Sequence, residues 1–138
     1  MSEARFAVGD ADADLAERLD QEISAFNAAA SGHHEARMLS VAVRGDDGDL
    51  RGGLYGWTWG GCGYVDLLWV RDDQRGLGAD LLAAAEAEIR RRGCDRVALS
   101  THSFQAPGFY ARLGYTECGR TPGYPRGHDD IHLVKQLP

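Results

Sequence analysis

Between positions 38 and 70, apolar residues fall into three short runs separated by glycine-rich turns. Met38–Arg44 is rich in residues that favour strands, a second run ends at Trp59, and Tyr64–Val70 is apolar almost throughout. An Asp-Gly pair at Asp47-Gly48 is typical of a tight hairpin turn. The pattern therefore predicts a three-stranded antiparallel meander whose most apolar run is a central strand.

Two other segments have the spacing of helices. In the stretch that follows the meander, one face carries four apolar residues, arginines fill the last turn and Gly93 ends the helix; the four are Leu81, Leu82, Ala85 and Ile89. Near the start of the chain, Asp14 and Glu17 have the spacing of a capping box. Helically spaced apolar residues follow them, and this first helix is predicted to end between Asn27 and Ala30.

The remaining segments complete a mixed sheet. Arg5–Val8 is predicted as a short first strand, and Arg96–Thr101 as a strand parallel to Tyr64–Val70. Pro107 suits the first turn of a short helix, and two more strands follow it. The predicted order is β-α-β-β-β-α-β-α-β-β, an α/β fold in one domain spanning residues 1–138, with helices on both faces of the sheet.

Composition narrows the class of protein. The 138 residues are 43% apolar and 26% charged, with a net charge of −6. That acidity gives a nucleic acid partner no electrostatic help and favours a cationic ligand such as an amine. The sequence has no run of membrane-spanning length, and its acidic start lacks the apolar segment of a signal peptide, so we expect a cytoplasmic protein without a membrane partner. Three isolated cysteines are expected to be reduced thiols.

The five residues Arg75-Gly76-Leu77-Gly78-Ala79 join the central strand to the second helix. Glycines allow a ligand to approach the backbone closely, and the free N–H groups at the start of a helix bind phosphate oxygens. Arg75 adds a charged donor. A plain strand-to-helix turn is the alternative interpretation. The spacing excludes the dinucleotide-binding GxGxxG pattern and the P-loop.

Together, the meander ending in LLWV, the turn RGLG and the stretch SFQAPGFYARLGY resemble the GCN5-related N-acetyltransferase (GNAT) superfamily. The resemblance implies a mostly antiparallel sheet with one splayed strand pair, and acetyl-CoA as the cosubstrate lying in the gap. The main chain of Leu68, Trp69 and Val70 would then pair with the pantetheine arm. The N–H groups of residues 75 to 79 would hold the pyrophosphate. Asp73 stands where the family pattern has Gln or Arg.

The same resemblance assigns two residues near the third helix. Ser103 replaces the family's asparagine as a polar contact to the cofactor. Tyr110 matches the tyrosine that protonates the departing CoA thiolate, a reasonable role for a phenol whose ordinary pKa is near 10. The alternative is that Tyr110 is a core aromatic residue.

The attacking amine must lose a proton, which calls for a general base. Asp66 lies within an otherwise apolar strand, where an unpartnered carboxylate is costly, so it has a partner or a function. It also matches the position of a strand glutamate that acts through water in many GNAT proteins. His102 is the second candidate base, because the ordinary pKa of histidine is near neutral.

Residues on the acceptor side are less sharply defined by the sequence. Tyr55, Trp57 and Trp59 alternate on one strand face, which fits an acceptor pocket, a core or a homodimer surface. Asn27 lies where the family's substrate lid begins, and the segment GYPRGHDDIH resembles the tail of small bacterial members. Tyr124 and His128 in this tail are candidates to close over the acceptor. Neither this tail nor the His33-His34-Glu35 segment has the geometry of a metal site, and no metal is expected.

The sequence therefore predicts an N-acetyltransferase that moves an acetyl group directly from acetyl-CoA to a primary amine of a small molecule or peptide. An acyl-CoA sensor without catalysis is one alternative. A toxin that acetylates aminoacyl-tRNA is another, and the acidic balance disfavours it. Polyamines, aminoglycoside-like antibiotics, amino acids and protein N-termini all remain open as acceptors.

Overall fold

The structure is a computed structural model that describes residues 3–34 and 36–138. Glu35, part of the polar segment considered above, lies outside the described residues. The chain divides into two compact units, residues 1–35 and 36–138. Within the described ranges, none of the helices combines the length and the apolar character that crossing a membrane requires.

The first unit contains helix α1, Ala13–Ser31. Asp12 caps the helix by accepting the Leu15 N–H at 3.0 Å, and Gly32 ends it in a left-handed conformation. The predicted box at Asp14 and Glu17 is therefore wrong, because acids at every second position offer several caps and spacing alone does not choose among them. Arg5–Val8 forms no strand. Alternation sets the faces of a strand but supplies no partner, and these four residues contribute little apolar area.

The second unit is a six-stranded sheet with two helices. Its elements are β1 Arg37–Arg44, β2 Leu50–Trp59, β3 Cys62–Val70, α2 Leu77–Arg91, β4 Arg96–His102, α3 Pro107–Arg112, β5 Thr116–Pro122 and β6 Asp129–Gln136. The strand order is β1-β2-β3-β4-β6-β5, and only the β3–β4 pair is parallel. The predicted meander, central strand and parallel crossover are confirmed.

The core of this unit lies between the sheet and its helices. The four predicted residues of α2 are the buried ones, and three of them, Leu82, Ala85 and Ile89, belong to one core cluster with sheet residues such as Leu54, Val65 and Val97. Gly63 on β3 leaves room for Ile89, since an added Cβ would lie 2.5 Å from the Ile89 Cδ1 atom. The period of 3.6 read from the sequence thus gives the packed face of α2.

Two strand features prepare the site. The parallel β3–β4 pairing begins at Cys62↔Arg96 and ends at Val65↔Leu99, although β3 continues to Val70 and β4 to His102. The two strands therefore separate beyond that point, as the resemblance implied. Three core residues, Val65, Leu99 and Tyr110, also line this opening.

A buried polar contact joins α2 to the strands behind it. The Tyr115 hydroxyl donates to Glu86 Oε2 at 2.7 Å, and Lys135 Nζ lies 2.8 Å from Glu86 Oε1. Burial of Tyr115, with the Glu86 carboxylate beside it, raises the pKa of the phenol well above its usual range. The protonated phenol therefore stabilises the folded state.

This contact predicts a loss of stability at alkaline pH. Because the folded pKa of Tyr115 is raised, its contribution is complete below the ordinary tyrosine pKa near 10 and declines as pH rises above that value. Burial also raises the pKa of the Cys62 and Cys94 thiols, which begin to contribute at lower pH. Urea unfolding across the alkaline range should show a shallower decline for Tyr115→Phe than for wild type. Parallel curves would contradict the prediction.

Candidate active site

A cleft opens where β3 and β4 separate. Its volume is about 430 Å³, within the range of small-molecule sites. Strands β3 and β4 and helices α2 and α3 all contribute residues to its wall. The wall includes Asp66, Leu68, Val70, Gly78, Ser100 and Tyr110. Five of these six were named from the sequence, so part of the predicted set of site residues lines one cavity.

Asp66 owes its position to a β-bulge. Gly56 pairs with Val65 and Tyr55 pairs with Leu67, which leaves Asp66 as an extra residue on β3. Its carboxylate is exposed and lines the cleft. An added Cβ on Gly56 would lie 2.0 Å from the Tyr64 carbonyl oxygen, so only glycine allows this close approach. Bulges commonly re-aim a side chain next to an active site. The polar residue in the apolar run thus faces an opening instead of the core.

The anion turn ends in the first turn of α2. Gly76 is the N-cap residue with φ 77°, a conformation that favours glycine. The first intrahelical hydrogen bond joins the Asp80 N–H to the Gly76 carbonyl at 3.3 Å. The N–H groups of Leu77, Gly78 and Ala79 therefore have no partner within the helix. These groups, together with the exposed Arg75, form a structure suited to an anion.

Gly78 has a different role from Gly76. It lies inside the helix and lines the cleft, and an added Cβ would lie 3.3 Å from the Phe109 ring. The absence of a side chain at Gly78 therefore lets α2 and α3 approach each other closely beside the cleft. The two glycines were read from the sequence as one motif, but one provides the turn and the other provides space.

The Asp73 carboxylate near the anion turn is paired with an arginine. Arg71 binds its carboxylate through two hydrogen bonds of 2.7 and 3.1 Å, which lowers the pKa of Asp73. Gln74, one position later, lines the cleft and supplies an amide close to where the family has Gln or Arg. Sequence analysis missed Gln74 because the family pattern was aligned one residue earlier.

This pairing predicts opposite effects for its two members. Arg71→Ala leaves the Asp73 charge uncompensated near a polyanion and should raise the KM for acetyl-CoA about two- to fivefold, whereas Asp73→Asn should lower it by a similar factor. Thiol-release kinetics at low salt measure both. Asp95→Asn is the matched control, because Asp95 forms a similar exposed pair with Arg96 at the other end of β4. KM changes of the same sign in both test variants would contradict the electrostatic explanation.

Tyr110 is only 8% exposed, yet it lines the cleft. Its ring makes edge contacts with Phe109 and Tyr115, at centroid distances of 5.0 and 5.8 Å. Burial raises the pKa of Tyr110, which keeps the phenol protonated at neutral pH. The residue can therefore donate a proton into the cleft.

Ser103 lies on the exposed turn after β4. Its Oγ accepts the Asp129 N–H at 3.0 Å, and its own N–H donates to the Asp129 carbonyl. The adjacent wall of the cleft is formed by Gln105 and Ala106. Gln105 receives the His102 N–H at 2.7 Å, which shapes the end of β4. Neither Gln105 nor Ser100, two of the polar residues of the wall, carries a motif that identifies it in the sequence.

His102 belongs to an aromatic cluster at the end of β4. Its Nδ1 lies 3.2 Å from the Tyr124 carbonyl, which can only accept, so Nδ1 is the donor in this contact. The Asp130 carboxylate lies 3.7 Å from the same nitrogen. Phe104 stacks on His102 and makes an edge contact with His128, which brings the predicted tail residues together with the predicted base.

The predicted aromatic row does share one face of β2, opposite the buried Leu54 and Thr58. Trp57 stacks on Tyr64 with ring centroids 4.8 Å apart. Tyr55 lies along a second groove with Leu67 and Trp69. The Trp69 side chain is therefore outside the β3–β4 cleft. Of the three residues predicted to face the pantetheine arm, Leu68, Trp69 and Val70, only Leu68 and Val70 line the cleft.

Asn27 lies within α1 of the first unit, four residues before the end of that helix. Its carbonyl accepts the Ser31 hydroxyl. Among residues 3–34 and 36–138, no group of three or more His, Cys, Asp or Glu side chains is arranged to hold a metal ion.

Comparison with known proteins gives the site its context. The model of the acetyltransferase (GNAT) family matches residues 6–115. A blasticidin-S acetyltransferase of Streptomyces morookaense is 46% identical over 112 residues, which are 75% of this chain and 80% of the relative. An acetyltransferase of Agrobacterium fabrum is 38% identical over 129 residues, 92% of this chain and 94% of the relative.

A solved structure from Agrobacterium tumefaciens, described as that of an acetyltransferase, has a TM-score of 0.90 and is 34% identical, covering 97% of this chain and all of the other. The family match, the two acetyltransferase relatives and the splayed strands agree with one another. The chain belongs to the GNAT family and is an acetyl-CoA-dependent N-acetyltransferase.

Proposed function

We propose that the chain acetylates an amine of a small-molecule antibiotic and that blasticidin S is an acceptor. The observation that carries this proposal is the 46% identity to a blasticidin-S acetyltransferase across 80% of that enzyme. The net charge of −6 is consistent with a cationic acceptor. The exposed Asp66 carboxylate in the cleft wall adds a local negative charge.

The cosubstrate side of the proposal uses main-chain groups. Acetyl-CoA supplies the activated acetyl thioester. The N–H groups of residues 75 to 79 hold its pyrophosphate, and the main chain of Leu68, Trp69 and Val70 faces the thioester and the pantetheine arm. The first three N–H groups of α2 have no partner within the helix, and β3 is not paired with β4 beyond Val65, which supports this assignment. Ser103 retains its hydroxyl proton as a donor toward the cofactor.

The transfer is direct. Holding the amine and the thioester in line supplies most of the rate, without a covalent enzyme intermediate. Tyr110 protonates the departing thiolate, which its burial and protonated state support. Asp66 attracts the amine and acts as a general base, with His102 as the other candidate for that role. Asp66 lines the cleft, whereas His102 lies in the neighbouring aromatic cluster.

The acceptor side draws on the surrounding aromatic residues. Tyr124 and His128 meet at the cluster around His102, and we propose that they close over the acceptor. Tyr55 and Trp57 are proposed to contact the acceptor through their ring faces, since a cation is attracted to an aromatic face. Asn27 is proposed to contact the acceptor from the lid.

An acceptor panel tests the function. Thiol release from acetyl-CoA is measured with blasticidin S, a polyamine, an aminoglycoside, a free amino acid and a peptide N-terminus. We expect kcat/KM for blasticidin S to exceed the others by at least about tenfold, a difference of about 1.4 kcal/mol in transition-state binding. Equal or higher kcat/KM for the peptide or the amino acid would overturn the acceptor assignment. Mass spectrometry of the product identifies the acetylated amine.

Three wider predictions belong to the same proposal. We propose that residues 1–138 work as one acetyltransferase domain, because the family match spans both compact units. We also propose a homodimer and a cytoplasmic location. Sedimentation at micromolar concentration tests the first of these two, and fractionation of the producing cells tests the second.

A further inference from the structure

A column of hydrogen-bonded side chains leads from the cleft to the surface across three strands. Ser100 on β4 lines the cleft, and its Oγ lies 2.8 Å from His132 Nδ1 on β6. On the other side of the imidazole, Nε2 lies 3.3 Å from the Thr121 hydroxyl on β5, which is exposed. Register explains the alignment, because Ser100 pairs directly with His132 in the antiparallel ladder.

Ser100 occupies a special place in the cleft. The last pair between β3 and β4 is Val65↔Leu99, so Asp66 and Ser100 are the first residues beyond it on the two separating strands. Both line the cavity. A bound amine between these strands would meet a carboxylate on one side and a hydroxyl on the other. The carboxylate can attract a cation, and the hydroxyl is connected to an imidazole.

We propose that Ser100, His132 and Thr121 form the relay that removes the proton of the acceptor amine. The proposal rests on the proposed function, since it assigns a proton path for that transfer. Ser100 is the catalytic residue of the relay because its hydroxyl meets the amine. His132 and Thr121 are positioning residues that act through Ser100.

The proton steps balance as follows. Asp66 first takes one proton from the bound cationic amine and passes it to water. As the neutral amine nitrogen then bonds to the acetyl carbon and the C–S bond breaks, a second N–H proton passes to Ser100 Oγ. Ser100 passes its own proton to His132 Nδ1, and His132 releases the Nε2 proton through Thr121 to water. Tyr110 gives a proton to the thiolate sulfur and regains one from water. The relay requires the neutral Nε2–H tautomer of His132, with Nδ1 accepting from Ser100.

The alternative base is less well connected. The Nδ1 atom of His102 is bound to the Tyr124 carbonyl, and His102 is absent from the described wall of the cleft. Asp66 therefore binds the cationic amine and takes its first proton, and the relay through Ser100 takes the second.

Several titratable and charged groups near Ser100 and His132 will also influence the pH dependence of kcat. On the same sheet face, His102 and Asp130 lie two positions along from Ser100 and His132, and Asp66 lies across the cleft. On the β5 side, the Cys118 thiol donates to the His132 carbonyl at 3.4 Å. The charged groups at the adjoining strand ends pair with one another: Glu117, Arg120 and Asp129.

The test compares kcat, its pH profile and its proton inventory in mixed light and heavy water. We expect Ser100→Ala and His132→Gln each to lower kcat about 10²-fold, the loss typical of removing a proton-transfer group. The acid limb of the wild-type profile should be absent from both variants. A curved wild-type inventory, showing more than one proton in motion, should become linear. Ser100→Thr keeps a hydroxyl and should recover most of the rate.

Matched controls separate the relay from general effects. Ser40→Ala on β1 and His34→Gln in the first unit remove the same chemical groups elsewhere, and both should keep the wild-type rate and profile. Thr121 is exposed, so Thr121→Val is expected to fold even if a change at His132 does not, and it should lower kcat several-fold and alter the inventory.

Three results would overturn the proposal. Ser100→Ala with wild-type kcat and inventory would exclude Ser100 as the proton acceptor. His132→Gln or Thr121→Val with a lower kcat but an unchanged pH profile and inventory would show a merely structural column. A wild-type protein without turnover on any amine of the panel would overturn both this relay and the proposed function, whereas wild-type turnover with indifferent variants would overturn the relay alone.

Discussion

Tyr110→Phe is expected to lower kcat by about 10²-fold or more while leaving the affinity for CoA nearly unchanged. The substitution removes only the hydroxyl, so the edge contacts with Phe109 and Tyr115 remain. The departing thiolate then lacks its proton donor. Thiol release with the best acceptor measures the rate, and calorimetric titration with CoA measures the affinity.

Tyr115→Phe is the matched control for this prediction. Tyr115 is also buried, at 4% exposure, but its hydroxyl is bound to Glu86 and it is not among the described residues of the cleft wall. We expect this variant to lose stability at neutral pH and to keep its kcat. If Tyr110→Phe turns over as fast as wild type, the catalytic assignment of Tyr110 is wrong.

Gly56→Ala is expected to damage both folding and catalysis. The added Cβ would meet the Tyr64 carbonyl oxygen at 2.0 Å, and backbone cannot move aside as a flexible side chain can. Relieving the contact requires β2 and β3 to shift at the bulge that presents Asp66. We expect the free energy of unfolding to fall by about 1–3 kcal/mol, the usual cost of overpacking. We also expect kcat/KM to fall at least about tenfold, because a displacement of about 1 Å at a reacting group is costly.

Gly119→Ala provides the comparison for Gly56→Ala. Gly119 also lies in a strand, but an added Cβ would lie 3.7 Å from its nearest neighbour, the His132 Cδ2 atom, which is an ordinary van der Waals distance. Denaturant unfolding and thiol-release kinetics measure both variants. Wild-type stability together with wild-type kcat/KM in Gly56→Ala would show that the bulge does not depend on this glycine.

Local patterns in the sequence were sufficient for much of the fold. The buried face of α2 follows from its own period, and the meander follows from apolar runs separated by glycine turns. These features depend on residues close together in the chain. Arg5–Val8 shows the limit, because a strand depends on a partner that a four-residue alternation does not identify.

The candidate site was predictable where a motif carried it. The turn at Gly76 came from the glycines in front of a helix, and the role of Tyr110 came from the family resemblance; Gly76 starts α2 and Tyr110 lines the cleft. The bulge at Asp66 was not predictable, since one extra residue in a ladder is visible only in the register. The Ser100–His132 contact was hidden for the same reason: it joins residues 32 positions apart through a pairing that the local sequence does not specify.

The central claim is that the gap between β3 and β4 holds acetyl-CoA for direct transfer to an amine. An experimental structure of the full chain with CoA bound tests this most directly. We expect the pantetheine arm beside Leu68–Val70, the pyrophosphate at the N–H groups of Leu77, Gly78 and Ala79, and the thiol within reach of the Tyr110 hydroxyl. CoA bound elsewhere on the chain, or with its thiol directed away from Tyr110, would contradict it.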